Sequence, residues 1–176
     1  MKKVYLAVSL SFLLLLGCSS PNEPSSGPEE FFPLKVGNKW YYNSNNTGAD
    51  SINLISEVTG VEVIDSKLYF RIVEQNLQFG FIDTVFYRFG GDTLFGKTKN
   101  YSEQIIADFS LNLNDAAYWQ SDMRVVQKTQ DIMKFEVPFA ADYGSSITFQ
   151  RGLGIIETEQ NGFVYYRRNL IKAEIK

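Results

Sequence analysis

Histidine is absent from all 176 residues, and that absence removes more chemistry than any motif in the chain supplies. Without an imidazole there is no Ser-His-Asp or Cys-His relay, no His-based zinc site and no general base of the commonest kind. One thiol is present, Cys18, and a lone cysteine in an exported chain either carries a covalent group or pairs with another chain. Paired carboxylates could still hydrolyse glycosides. Asp83 is the acid whose position is odd, because it interrupts the apolar parity of the stretch from Leu77 to Phe89. The reading that predominates for it is structural: a bulge, a partner such as Arg71 or Arg88, or a part of that face left to solvent. Calcium has no Asp-x-Asp-x-Asp-Gly loop. Gly152-Leu153-Gly154 and Phe89-Gly90-Gly91-Asp92 lack the further glycines and the helix of a phosphate-binding turn. The sequence therefore predicts no enzyme, no cofactor and no metal. Arg167-Arg168 is the one local basic pair, expected as two solvated residues on opposite faces of a strand end.

The element that positions Cys18 comes before it. Met1-Lys2-Lys3 is followed by an apolar run from Val4 to Leu16, interrupted only by Ser9 and Ser11, and then by Gly17. A membrane-spanning helix needs about 20 apolar residues, so this shorter run behind a basic start predicts a cleaved signal peptide over residues 1–17. Leu15-Leu16-Gly17-Cys18 resembles the lipobox of bacterial lipoproteins, which implies a diacylglycerol on the Cys18 sulfur and an attachment to membrane through it. Ser19 stands where an inner-membrane retention signal places Asp, which in a Gram-negative cell points to the outer membrane, with the leaflet left open. Residues 18–30 then read as a lipidated tether: Ser, Pro and acid with nothing apolar to bury. Fully extended at about 3.5 Å per residue, such a tether reaches some 40 Å.

Cleavage removes Lys2 and Lys3, leaving 15 basic against 20 acidic residues, a net charge of −5. Nucleic-acid binding needs a clustered basic footprint, and none is present. Residues 31–176 suit one domain, rich in aromatic side chains with 14 Phe, 10 Tyr and 2 Trp in the chain. Period-two alternation is longest from Leu77 to Phe89, read as one strand after a turn at Gln75-Asn76, and it recurs at Leu68 to Val73, Met133 to Phe139, Ile147 to Phe149 and Ile171 to Lys176. Asn161-Gly162 predicts a two-residue hairpin, and Pro138 marks a strand edge or end. Shorter strands are expected at Lys39–Asn43, Ser51–Thr59, Val61–Ile64, Asp92–Lys97 and Met123–Thr129, while Ser102 to Trp119 is unreadable apart from room for a helical turn. The expected fold is all-β with little helix: a single antiparallel, strongly curved sheet, or a β-barrel or half-barrel of lipocalin-like or lipoprotein-carrier-like form.

Three segments together, Phe32-Pro33-Leu34-Lys35-Val36-Gly37-Asn38-Lys39-Trp40-Tyr41-Tyr42, Ala107-Asp108-Phe109-Ser110-Leu111 and Arg151-Gly152-Leu153-Gly154-Ile155-Ile156-Glu157, resemble a group of uncharacterised lipoproteins and secreted β-domains of Bacteroidota. The usual Gly-Asp after the middle segment is replaced here by Asn112-Leu113-Asn114-Asp115. In physical terms the three are structural, with Gly37, Gly152 and Gly154 permitting positive φ and Trp40 and Leu153 plugging a core. Two functional expectations follow. The first is a non-enzymatic envelope lipoprotein with a scaffolding role and a protein partner. The second is a carrier or binding module for a lipid or other hydrophobic ligand. They differ in whether the sheet encloses apolar space or fills it.

Overall fold

A computed structural model describes residues 27–44, 51–120, 122–140, 143–161 and 166–176. The predicted signal peptide, Cys18 and most of the tether lie outside these residues. Gly27 to Glu30, assigned to the tether by composition, form the entry to the domain: Pro28–Glu30 is a 3-10 turn, and Glu30 is ion-paired with Arg151.

Alternating side chains make strands, and eleven are described: β1 (Lys39–Ser44), β2 (Leu54–Ile64), β3 (Lys67–Asn76), β4 (Ile82–Gly90), β5 (Thr93–Thr98), β6 (Gln104–Asp108), β7 (Arg124–Lys128), β8 (Ile132–Ala140), β9 (Tyr143–Gln150), β10 (Gly154–Asn161) and β11 (Tyr166–Glu174). They form one antiparallel sheet in the order β6-β5-β4-β3-β2-β1-β11-β10-β9-β8-β7. Two meanders are thus joined back to back through β1 and β11, and the sheet is open between its two edge strands, β6 and β7. The sheet curves but does not close, so the curved-sheet expectation holds and a closed barrel does not form. The reason lies in the connection between the edges. Its backbone occupies the outer side of β7: Asn114 N–H donates to Val125 O at 2.8 Å, Val125 N–H to Asp115 O at 3.0 Å, and Ala117 N–H to Met123 O at 2.8 Å. The donors and acceptors that β6 would need are already used.

Cross-strand partners place Trp40, Tyr42, Val58, Ile72, Leu94, Met133, Phe135 and Phe149 on the concave face, all buried. Three phenylalanines from outside the strands fill the space between them. Phe31 stacks on Phe109 with centroids 5.1 Å apart, Phe109 meets Phe149 edge-on at 5.1 Å, and Phe32 packs on Trp40 at 5.3 Å and on Tyr87 at 5.4 Å.

Several sequence expectations are corrected. The stretch from Leu77 to Phe89 is not one strand: β3 runs on to Asn76 and β4 starts at Ile82, with a turn between. Asn76 is the cause, since its Oδ1 accepts from the N–H groups of Gln78 and Phe79 at 3.0 Å each while Gly80 takes φ +73°. Aromatic alternation across the turn mimicked a strand. β6 went unread, and the strands expected at Ser51–Thr59 and Val61–Ile64 are one, β2, which starts at Leu54 and is bent by a bulge between Val58 and Gly60. Gln160, next to the last residue of β10, pairs with Tyr166, the first of β11. A two-residue Asn161-Gly162 turn would have paired Gln160 with residue 163, so the register excludes it; Gly162 itself lies outside the described residues. A bulge at Tyr41/Tyr42 turns Ile171 out of the expected inward set, and Ile171 and Ile175 are exposed. Pro138 is neither at an edge strand nor at a strand end: it lies inside β8, beyond the last β7 partner and within the irregularity between Val137 and Ala140, where no ladder bond is asked of it.

Candidate ligand-binding cleft

The three motif segments converge on the end of the sheet where the chain enters. Gly37, Gly152 and Gly154 all have positive φ, at +91°, +76° and +95°. Gly154 has a second requirement, because a Cβ there would lie 2.8 Å from the Phe32 ring. Trp40 is the core plug expected, 1% exposed, and its indole N–H donates to the Leu153 carbonyl. Leu153 is not a plug; its side chain is half-buried, and its carbonyl does the work. Tyr42 Oη donates to Ile155 O at 3.0 Å, Gly152 N–H to Glu30 O at 2.7 Å, and the Arg151 guanidinium lies 4.6 Å above Phe31.

Between this hub and the lower rim of the sheet is a cleft of about 800 Å³. Pro33, Leu34, Leu68, Phe70, Phe89 and Ile175 supply apolar lining, and Glu29, Glu30, Lys35, Asp131, Arg151 and Lys176 supply charge; Arg88 borders the cleft, but its guanidinium belongs to the convex face. Strand polarity explains the composition: Leu68, Phe70 and Phe89 belong to the concave parity of β3 and β4, at the level where the sheet has run past its filling of Phe31 and Phe32. Arg151 is paired with Glu30 and Arg88 with Glu103. Glu29 and Asp131 stand near Arg151, whose N–H donates to Asp131 O at 2.8 Å. Lys35 and Lys176 stand near Asn38, whose N–H donates to Lys35 O at 3.0 Å and whose Oδ1 accepts from the Lys176 N–H at 2.9 Å. The rim thus carries acids on one lip and lysines on the other.

Further up the concave face is a polar cluster that the sequence reading missed. Arg168 Nη1 and Ser56 Oγ both donate to Glu74 Oε1, each at 2.9 Å, and the Arg168 guanidinium lies 4.7 Å over the Tyr42 ring. Burial works against the Arg168 charge, but Glu74 together with the phenols of Tyr42, Tyr166 and Tyr87 outweighs it and holds the guanidinium above its ordinary range. Burial, reinforced by Glu74, raises the Tyr87 phenol to about 12. Arg168 Nε and Thr158 Oγ1, on paired residues, are buried without a hydrogen-bond partner among the described residues. The two arginines do face opposite ways, with Arg167 on Glu157, but the Arg168 side chain is largely withdrawn from solvent, 12% exposed. Its signal was its parity with Tyr166 and Leu170.

Asp83 joins no site. It is exposed, and its Oδ1 accepts from the Thr84 N–H at 2.7 Å. The arginines offered to it are elsewhere: Arg71 Nε donates to Thr59 Oγ1, and Arg88 clasps Glu103 through Nε at 2.6 Å and Nη2 at 2.7 Å. Arg88, with Lys67 and Tyr69, lowers the Glu103 carboxyl to about 2. This clasp on the convex face ties edge strand β6 across to β4 and β3. Among the described residues no three acids or thiols are grouped to hold a metal ion.

Neither a family model nor a curated protein sequence matches the chain. Among solved structures, a candidate exported protein with a YmcC-like fold from Bacteroides fragilis superposes with a TM-score of 0.54 at 13% identity, covering 82% of this chain and 98% of that one. A candidate lipoprotein from Parabacteroides distasonis covers the same shares at 12% identity with a TM-score of 0.38. The chain has the YmcC-like fold, an open antiparallel all-β sheet.

Proposed function

We propose that the protein is a non-enzymatic binding module of the cell envelope, held to the outer membrane by lipid on Cys18, and that its lower cleft takes the hydrocarbon part of an amphiphile. The observation that carries this reading is the cleft of about 800 Å³ with Leu68 and Ile175 left 55% and 38% exposed inside it. Its size falls in the range of ligand pockets, about 300–1,000 Å³, and apolar side chains in a concavity gain from an apolar occupant. Acids on one lip and lysines on the other suit a headgroup with both charges. The lipobox supports the envelope address, as does the description of the Bacteroides fragilis relative as an exported protein. The packed core of Phe31, Phe32, Phe109 and Phe149 limits binding to this end of the sheet.

Displacement of a fluorescent fatty acid by lysophosphatidylethanolamine tests the proposal. Leu68→Asp puts a charge on the cleft wall at an exposed position and should weaken binding at least about tenfold, the equivalent of about 1.4 kcal/mol. Equal binding by the variant, or none by the natural protein, would return the weight to a scaffolding role.

A further inference from the structure

The β3–β4 turn exposes an apolar cluster at the end of the sheet away from the cleft. Leu77, Phe79, Phe81 and Ile82 are 48%, 57%, 63% and 68% exposed, and the rings of Phe79 and Phe81 stack with centroids 5.5 Å apart. The turn is held open to solvent by its backbone: Gly80 N–H donates to Asn76 O and Asn76 N–H to Phe81 O, both at 2.9 Å, in addition to the two bonds accepted by Asn76 Oδ1. None of the four side chains lines a cavity described above, so the cluster is a wedge and not a groove.

We propose that this turn is a membrane-contacting tip, seated in the lipid interface of the same bilayer that holds the Cys18 anchor. From Gln75 to Ile82 the chain has no charge, only amides among its apolar residues, and the exposed Asp83 stands at the base of the turn behind them; an interface rewards apolar depth and amide edges alike and leaves such an acid at headgroup level. Tyr101, 71% exposed, stands on the β5–β6 connection at the same end, and a ring with a polar tip suits headgroup level. The chain outside the structure fixes the posture. Nine residues run from Cys18 to Gly27, a reach of about 30 Å, and β3 alone is about 33 Å long. A domain standing on the membrane carries the tip out of reach; one lying along it brings tip and anchor to one surface.

The test uses the full-length lipidated protein in vesicles of phosphatidylethanolamine and phosphatidylglycerol. With the Cys18 sulfur carrying lipid, Gln78→Cys offers one thiol for an environment-sensitive fluorophore, and Gln130→Cys, in the β7–β8 turn at the opposite end, offers the control. The tip predicts a blue-shifted emission quenched by bromolipids at residue 78, aqueous emission at 130, and loss of the shift when Phe79→Ser and Phe81→Ser are added with the thermal transition unchanged. Leu68→Asp should leave the signal alone, which separates this inference from the cleft. Aqueous emission at 78 on protein that floats with the vesicles overturns the tip and leaves the cluster to a protein partner. Protein that does not float overturns the anchor, and the tip with it.

Discussion

Trp40 carries one polar hydrogen into a site that is 1% exposed, and the only way to bury it cheaply is to supply an acceptor. Leu153 supplies it from the β9–β10 turn, more than a hundred residues away, and Gly154 keeps that carbonyl in place with a φ of +95°. Gly154→Ala would both force an L-residue into the left-handed region and press a methyl into the Phe32 ring, so the expected loss is about 2–4 kcal/mol by chemical denaturation. The Glu74–Arg168 pair is the other place where single atoms decide the outcome. Glu74→Leu should cost about 3 kcal/mol by leaving a buried cation alone, and adding Arg168→Met should recover most of it, a coupling read from a double-mutant cycle. Glu103 contributes a pH dependence to stability. Its folded pKa of about 2 lies below the ordinary 4.5, so its contribution is complete above pH 4.5 and disappears as pH falls towards 2. Glu103→Gln should therefore destabilise by about 1–3 kcal/mol at neutral pH and flatten the acid limb of a stability–pH curve over that window. These residues differed in legibility. Trp40 and the glycines were readable from type and spacing, because steric demands are local. Arg168 and Glu103 were not, because their partners are supplied by strands distant in sequence.

The element that does most for the core is not a strand. Gly27 to Gly37 crosses the mouth of the sheet, drops Phe31 and Phe32 inward and closes one wall of the cleft. Removing residues through 26 should leave the thermal transition where it is, whereas removing residues through 32 takes away two buried rings worth about 3–5 kcal/mol each. A typical domain has only about 5–15 kcal/mol to lose, so the second truncation should bind a hydrophobic dye and show no cooperative transition. Strands with one apolar parity, such as β8 with Met133, Phe135 and Val137, were legible because the pleat and the burial pattern coincide. Boundaries failed where hydrogen bonds outranked pattern. Asn76 cut the longest alternation in two, and β10 and β11 pair as the Asn161-Gly162 signal implied but with Gln160 opposite Tyr166, a register that a two-residue turn does not give. β6 was hidden because Gln104-Ile105-Ile106-Ala107-Asp108 alternates over too few residues to show a period.

At the scale of the molecule, composition gave the all-β class and the exclusion of imidazole chemistry, but the difference between a barrel and an open sheet lies in backbone bonds that leave no trace in side-chain type. The connection from Phe109 to Met123 uses the edge of β7 and prevents closure. Openness matters to function, because an open sheet can be packed along most of its length and still leave a cleft at one rim. A filled core and enclosed apolar space were alternatives in the sequence; in the structure they occupy different levels of one face. Native mass spectrometry of the full-length protein taken from its own host, released from mild detergent, tests the central claim most directly. A reproducible mass beyond the polypeptide and its anchor, extractable as one amphiphile class and missing from Leu68→Asp, is the expected result. A spectrum with only the mass of the polypeptide and its anchor would contradict the assignment of the cleft.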